Sequence, residues 1–318
     1  MAQSRTGRTS RNRSRVYALY IGAAALLSLY VFLPQSSRLK ASLQTVKTAH
    51  PHFLIAAVLL TIATYPLATA IYCLIAYHPI RYPRTLLVQV ASSFTNRLLP
   101  AGAGGMATIA RYLTRNRHTA VQAGSVAALN NLIGVFGHML ILLIIVVFGG
   151  ASLRQAITVR LSPTVLLVGV LIIATAVTAI MVWSWLRGAV RQGLQSLVID
   201  FRQLWRHPLR LTAAVGSAML VTSLYALTLY ASALALGQHL SLAQVFIVLT
   251  LGVGVASITP TPGGIGGAEA GLVAGFVSVG VPADQGLSIA LLYRFITYWL
   301  PLLPGFIAFH MAARKGYI

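Results

Sequence analysis

Three charged side chains stand inside stretches of the chain that are otherwise apolar. Glu269 lies in "SITPTPGGIGGAEAG", Arg294 lies in "LLYRFITYWLPLLPG", and Arg97 lies in "VASSFTNRLLPAG". Charges in so apolar a setting are costly and are kept mainly where they bind substrate, relay protons or pair with one another. We therefore expect Glu269 to pair with an arginine, first of all Arg294, in a polar cavity. Glu269 would bind a cationic group or carry a proton there, and a purely structural ion pair is the alternative.

Glycine and proline interrupt the helical pattern beside these charges. The segments "PAGAGGMAT", from Pro100, and "PGGIGGAEA", from Pro262, match at an offset of 162 residues. Broken helices leave N–H groups unpaired, and the partial positive charge of a helix N-terminus can hold a phosphate or carboxylate. The glycines either let a ligand approach the backbone or let helices pack closely, and both interpretations remain open. The candidate substrate-binding or coupling residues are Glu269, Arg294, Arg97, Asn96, Pro262, Gly263, Gly264, Gly266, Gly267, Pro100, Gly102 and Gly104.

The composition defines the setting of these residues. Hydrophobic residues make up 57% of the 318 residues and charged residues only 8%, against about a quarter charged in a soluble domain. We therefore predict an all-α polytopic membrane protein. The 24 Lys and Arg, against 3 Asp and Glu, lie mostly in short segments between apolar runs. That pattern is typical of topology signals that face anionic headgroups, and we expect no nucleic-acid partner.

Signatures of enzymes and metal sites are missing from the sequence. It contains no H-E-x-x-H, P-loop or G-x-S-x-G motif. Its 3 acidic residues leave no carboxylate pair for catalysis or for a hard metal ion. The single cysteine, Cys73, excludes an internal disulfide and a cysteine metal site. We therefore expect neither an enzyme nor a bound metal or cofactor.

Six apolar segments are long enough to cross a bilayer, which takes about 20 residues. They are Tyr17–Leu33, Phe53–Tyr77, Thr119–Phe148, Pro163–Leu186, Leu211–Leu236 and Gln285–Ala312. They predict one transmembrane domain at residues 16–312, between a basic, disordered N-terminal tail at 1–15 and a C-terminal tail at 313–318. Two further apolar stretches, 85–113 and 241–281, carry the Pro- and Gly-rich breaks.

The positive-inside rule decides how the two broken stretches cross. If each is a hairpin that returns to its own side, 17 Lys and Arg fall on the cytoplasmic side and 5 outside, whereas single crossings give 11 on each side. We therefore predict two re-entrant hairpins of opposite orientation, with both termini of the chain cytoplasmic. The arms of the second hairpin, at 17–19 residues, are nearly long enough to span. The chain then divides into inverted repeat halves, 16–149 and 163–312, as in transporters with a site at the repeat interface.

At "PTPGGIGGAEAG" and "YRFITYWLPLLPG", the chain resembles the lysylphosphatidylglycerol synthase transmembrane-region family, a flippase-like group. Related sequences often have an acidic residue where this chain has Gly105. The resemblance implies a stand-alone member without the soluble aminoacyl-transferase domain of bifunctional relatives, since the chain ends at Ile318. The residues that carry the resemblance are Pro262, Gly263, Gly264, Gly266, Glu269, Arg294, Pro301 and Gly305, with a weaker earlier element at Asn96, Pro100 and Gly104.

Two functions from different classes remain open. The first, which the resemblance implies, is a lipid flippase or transporter of a prokaryotic cytoplasmic membrane. It would move an anionic or aminoacylated phospholipid, or a lipid-linked headgroup, between leaflets, and Arg294 and Arg97 would contact the phosphate. The second is a membrane-embedded assembly or regulatory partner of a separate lipid aminoacyl- or glycosyl-transferase. The expected partner is membrane phospholipid in the first case and that transferase in the second.

Overall fold

Every regular element in the described part of the chain is a helix. A computed structural model describes residues 49–99, 102–148, 206–259 and 261–318. The prediction of an all-helical protein is confirmed. In chain order the elements are α1 Pro51–Ile75, α2 Tyr82–Leu98, α3 Ala103–Thr114, α4 Ala120–Phe148, α5 Pro208–Ala235, α6 Leu242–Ile258, α7 Gly267–Ser278, α8 Ala283–Arg294, a π-helical turn Phe295–Trp299, and α9 Leu302–Arg314.

Four helical segments in these residues are long and apolar enough to cross a membrane. They are α1, α4, α5 and the continuous stretch Ala283–Arg314, which contains α8, the π-helical turn and α9 and is called the last span below. Each lies within a few residues of a predicted span. The other two predicted spans, Tyr17–Leu33 and Pro163–Leu186, lie outside the described residues.

The same local chemistry interrupts both broken stretches. Leu99 and Thr259 each precede a proline and are extended, with ψ of 145° and 121°, because the proline ring disfavours the helical conformation in the residue before it. The second helix begins after a glycine with positive φ, Gly102 at 74° and Gly266 at 84°, which residues with a side chain rarely adopt. Each stretch therefore forms two helices joined by a short break: α2 with α3, and α6 with α7.

The second helix of each stretch is shorter than the first. α2 and α6 have 17 residues each, and α3 and α7 have 12 each. Twelve residues make about 18 Å of helix, well short of the roughly 30 Å of a bilayer core. The prediction of 17–19 residues for both arms of the second hairpin is therefore wrong for α7. That helix stops because Gly280 turns the chain with a φ of 89° and the Val281 N–H bonds back to the Phe276 carbonyl at 2.9 Å.

The two helices of each stretch pack antiparallel as a hairpin. In hairpin 1, formed by α2 and α3, the base is closed by Thr85 Oγ1, which lies 2.9 Å from the Tyr112 hydroxyl. In hairpin 2, formed by α6 and α7, Gln244 Nε2 donates to the Val279 carbonyl at the base at 3.5 Å. The two helix ends that lie farthest from the break therefore meet and form the base of each hairpin. The break itself forms the tip.

The two hairpins approach the last span from opposite ends. The base of hairpin 1 lies at the C-terminal end of that span, where the Arg84 guanidinium stacks on the Tyr317 ring at 5.3 Å. The predicted C-terminal tail is thus packed against hairpin 1, with Ile318 buried. Hairpin 2 leads directly into the N-terminal end of the span at Ala283. Both tips meet the middle of the span, around its π-helical turn.

Equivalent helices of the two predicted halves run in opposite directions. α1 and α5 pack against each other, and the His50 N–H at the start of α1 donates to the Ala235 carbonyl at the end of α5 at 2.9 Å. α9 packs on α2, and α4 contacts α6 through His138 Nε2, which lies 3.0 Å from Thr250 Oγ1. An inverted repeat requires this arrangement. The first span of each half lies outside the described residues, so the repeat stays a prediction.

Cations gather at one end of the helical bundle. Of the described Lys and Arg, all but Arg97 and Arg294 lie at the end that holds the base of hairpin 1. The opposite end has no Lys or Arg among the described residues. By the positive-inside rule, we expect the basic end to face the cytoplasm. Its nine cations are Arg81, Arg84, Arg111, Arg115, Arg117, Arg206, Arg210, Arg314 and Lys315.

Cysteine labelling tests this orientation. Thr114, at the base of hairpin 1, and His239, between α5 and α6, are both exposed. In a Cys73→Ala background, we expect a membrane-impermeant thiol reagent to label Thr114→Cys only from the cytoplasmic side and His239→Cys only from the opposite side. Labelling in intact cells and in inverted vesicles measures both. Labelling of the two positions from the same side would contradict the opposed ends.

Candidate functional site

The predicted ion pair lies where the tip of hairpin 2 meets the last span. Arg294 Nε, at the end of α8, donates to Glu269 Oε1 at 2.7 Å, and the two side chains are only 12% and 10% exposed. Glu269 lies in the first turn of α7, where its Oε2 accepts the Gly266 N–H at 2.6 Å. A carboxylate at that position also complements the helix dipole. Both carboxylate oxygens are therefore engaged by the protein.

Arg294 also binds the break of hairpin 2. Its Nη2 donates to the Gly263 carbonyl at 3.0 Å, and its guanidinium lies over the Tyr298 ring, 4.3 Å from the centroid. The same ring stands 2.2 Å from where a Cβ on Gly263 would be. Gly263 also has a φ of 59°. The absence of a side chain at this position is thus explained by close packing of the break on the last span.

Arg97 is a second guanidinium at the same point, contributed by the tip of hairpin 1. Its Nη2 donates to the Thr297 carbonyl at 2.8 Å and its Nη1 to the Ser93 carbonyl. Its Nε is buried without a hydrogen-bond partner, and no carboxylate pairs with Arg97, among the described residues. Two guanidinium groups and one carboxylate leave the centre positively charged. A partly buried cation with an unused donor favours the binding of an anion.

Tyr298 connects both hairpins to the last span. Its hydroxyl lies 3.2 Å from the Arg97 carbonyl in hairpin 1 and 3.5 Å from the Pro262 carbonyl in hairpin 2. The residue is 6% exposed, and the Arg97 guanidinium lies 5.5 Å from the centroid of its ring. Tyr298 belongs to the π-helical turn. Such turns are rare and occur frequently at functional sites.

Tyrosines from α1 and α5 extend this polar centre into the bundle. The Tyr65 hydroxyl donates to Ser93 Oγ at 3.3 Å, and Tyr225 lies near Tyr65 and Arg97. Neither these residues nor Tyr298 were predicted from the sequence, and no pattern there marks Tyr65 or Tyr225 among its 13 tyrosines. A signal for Tyr298 was present, since it follows Arg294 by four residues and therefore shares its helix face.

The glycines predicted for the site are explained by packing within the hairpins. A Cβ on Gly264 would lie 2.9 Å from Ala256 Cβ, and one on Gly267 would lie 1.9 Å from Thr259 Oγ1. In hairpin 1, a Cβ on Gly104 would lie 1.9 Å from the Thr95 carbonyl oxygen. Of the two interpretations that the sequence leaves open, close packing of helices therefore accounts for these positions.

The remaining predicted residues lie at the same tips. Asn96 is exposed, and its Oδ1 is 3.2 Å from the Cβ position of Gly102, at the start of α3. Gly266 caps α7, and Pro262 offers its carbonyl to Tyr298. Pro100 lies outside the described residues. The structure thus brings the described candidates from both stretches to one centre.

These features define an all-helical polytopic membrane protein in which two opposed helical hairpins close on a buried, positively charged centre. The chain belongs to the lysylphosphatidylglycerol synthase TM region family, which it matches over residues 16–305. It is also similar to a UPF0104 membrane protein of Pyrococcus horikoshii, with 32% identity over 105 residues. That match covers 33% of this chain and 31% of the relative, so the chain spans less than a third of the relative's length. The family places the chain among membrane proteins of lipid metabolism or transport.

Neutralising either member of the ion pair should destabilise the protein. Glu269→Gln and Arg294→Gln each leave an uncompensated charge, and breaking a buried pair in this way costs about 3–5 kcal/mol. The double variant should recover most of the loss, because no lone charge then remains at the pair. Thermal unfolding of all four forms in detergent measures the coupling. Strictly additive losses would contradict a paired arrangement.

Gly263→Ala should also destabilise the protein, because the new methyl group collides with the Tyr298 ring at a positive φ. Overpacking of this kind costs about 1–3 kcal/mol. Gly254→Ala, in α6, is the matched control, since nothing lies within 4 Å of its Cβ position. It should be neutral or slightly stabilising, as alanine favours a helix. If both variants unfold at the wild-type temperature, the ring does not pack on Gly263 as described.

Proposed function

We propose that this protein is a flippase-type transporter that moves a lipid with an anionic headgroup between the leaflets of a membrane. The observation that carries the proposal is the Arg97 guanidinium. It lies at the meeting point of two opposed hairpins without a carboxylate partner among the described residues, and its Nε has no hydrogen-bond partner there. The lipid setting agrees with the family to which the chain belongs.

The charge of the centre favours an anion as the transported group. Glu269 neutralises Arg294, so Arg97 supplies the unbalanced positive charge. The N-terminus of α3 lies at the tip of hairpin 1 and adds the partial positive charge of a helix dipole, whereas Glu269 already complements the N-terminus of α7. In an apolar surrounding these charges interact more strongly with a phosphate than they would in water. Arg97 is therefore the group that binds the headgroup phosphate.

The opposed hairpins give this centre a route to each side of the membrane. Their bases lie at opposite ends of the last span, and their second arms have 12 residues each, too few to cross. We take both as re-entrant hairpins whose tips meet near the middle of the bilayer. Irregular backbone at that depth requires a covering of protein or a water-filled cavity. Movement of one hairpin against the other would open the centre to one side at a time.

Glu269 and Arg294 have an anchoring role in this proposal. Glu269 holds the start of α7 through the Gly266 N–H and holds the last span through Arg294. With both oxygens engaged, Glu269 fixes hairpin 2 and does not itself bind a cationic headgroup in this state. We place the protein in the cytoplasmic membrane of a prokaryote, with the basic end toward the cytoplasm.

Arg97→Gln should abolish most of the transport of anionic lipid. Hydrogen bonds to a charged group contribute about 1.5–3 kcal/mol, so we expect a loss of roughly 10- to 100-fold. Arg111→Gln is the matched control, because Arg111 is exposed at the basic end and should leave the rate unchanged. The measurement is leaflet exchange of labelled phosphatidylglycerol in proteoliposomes, with labelled phosphatidylcholine as the zwitterionic comparison.

Two results would contradict the proposal. Exchange of phosphatidylglycerol by Arg97→Gln at the wild-type rate would remove Arg97 from the binding site. No exchange of either lipid by the wild-type protein, under conditions where it is folded, would instead favour a partner of a separate lipid-modifying transferase.

A further inference from the structure

Tyr298 occupies a position that the proposed function alone does not explain. Its hydroxyl has one proton to donate and two backbone carbonyls within reach, the Arg97 carbonyl at 3.2 Å and the Pro262 carbonyl at 3.5 Å. Arg97 lies near the end of α2, at the tip of hairpin 1, and Pro262 lies in the break of hairpin 2. One side chain of the last span therefore touches the backbone of both tips.

The ring of Tyr298 acts on the side chains of the same centre. It lies 4.3 Å from the Arg294 guanidinium and 5.5 Å from the Arg97 guanidinium. Two like charges at one buried point repel each other, and an aromatic ring near both attracts each of them through its electron-rich face. The ring thus favours the presence of a second guanidinium beside the Glu269–Arg294 pair.

We propose that Tyr298 is the positioning residue of the anion site, which holds Arg97 and the tip of hairpin 1 against hairpin 2 while the centre is closed. Tyr298 does not contact the transported group in this assignment and acts through Arg97. Of the two carbonyls that this hydroxyl can bond, the one in hairpin 1 is the nearer. Loss of the hydroxyl should therefore release the hairpin that carries the unpaired cation. The role of Tyr298 in anion binding rests on the proposed function. Its role in holding the two tips together is tested without a transport measurement.

The first test measures the separation of the tips. Spin labels are attached to cysteines at Leu98 and Ile258, which are 49% and 61% exposed at the ends of α2 and α6, in a Cys73→Ala background. Tyr298→Phe keeps the ring and removes only the hydroxyl. Tyr112→Phe is the matched control, because it removes a buried hydroxyl that bonds Thr85 at the base of hairpin 1. Pulsed electron paramagnetic resonance should give an additional, longer distance between the two labels for Tyr298→Phe. For Tyr112→Phe, the distance distribution should equal that of the labelled protein without either tyrosine substitution.

The second test measures the use of anionic lipid by the full chain. In proteoliposomes of phosphatidylglycerol and phosphatidylcholine, the mole fraction of phosphatidylglycerol at half-maximal exchange should rise about fivefold in Tyr298→Phe, as expected for the loss of one hydrogen bond. Tyr112→Phe should retain the wild-type value. A simple loss of folded protein would lower the maximal exchange without moving this midpoint.

The outcomes separate the inference from the proposed function. Unchanged tip distances in Tyr298→Phe overturn the inference, whatever the exchange rates are. Longer distances with an unchanged phosphatidylglycerol midpoint also overturn it, since Arg97 would then bind without the help of Tyr298. If the wild-type protein shows no dependence on phosphatidylglycerol, the proposed function fails, and so does the assignment of Tyr298 to an anion site.

Discussion

The structure depends on one constraint, which is that two guanidinium groups and one carboxylate share an apolar interior in the described part of the chain. Buried charges are tolerated when they are paired and hydrogen-bonded. Glu269 meets this condition with both of its oxygens, and through Arg294 it joins hairpin 2 to the last span. The chain has only 3 acidic residues, and among the described residues one carboxylate lies at this centre, where it pairs with Arg294. Arg97 is held instead by backbone carbonyls and an aromatic ring, which leaves its charge available.

Two hairpins of different sequence are built from the same parts and converge on this centre. In each, a residue before proline ends the first helix and a glycine of positive φ starts the second. The second helices begin at the breaks, so their N-termini lie at the tips. Because these helices have only 12 residues each, the tips lie inside the bundle and not at its ends. The last span joins the two, because its N-terminal half follows hairpin 2 and its C-terminal half packs on hairpin 1. In the proposed transporter, the anion site and both hairpins would thereby be linked at one point along a single helical segment.

Composition and local stereochemistry were enough to predict much of this arrangement. The hydrophobic runs give the described spans, the prolines mark the tips, and the scarcity of acidic residues makes Glu269 and Arg294 natural partners. The length of α7 could not be predicted, since a glycine turn at Gly280 ends a helix that hydropathy alone would extend. Tyr298 was missed because its importance comes from tertiary contacts with two segments distant in sequence. The sequence also left the role of the glycines undecided. Only the packing shows that a Cβ added at these positions would collide with protein atoms.

The π-helical turn gives the last span two differently oriented faces. Arg294 and Gly305 are 11 residues apart, and in an unbroken α-helix, which turns about 100° per residue, they would share nearly the same face. In this protein Arg294 faces hairpin 2, whereas Gly305 lies against Phe94 of hairpin 1. The π-helical turn between them rotates the faces of α9 relative to those of α8. One continuous helical segment can therefore pack against both hairpins. The π-helical geometry of this turn is therefore under tighter constraint than the identity of its outward residues. Regular α-helix with the same number of residues there would rotate α9 away from α2 by about 100°, even if every side chain at the centre were kept.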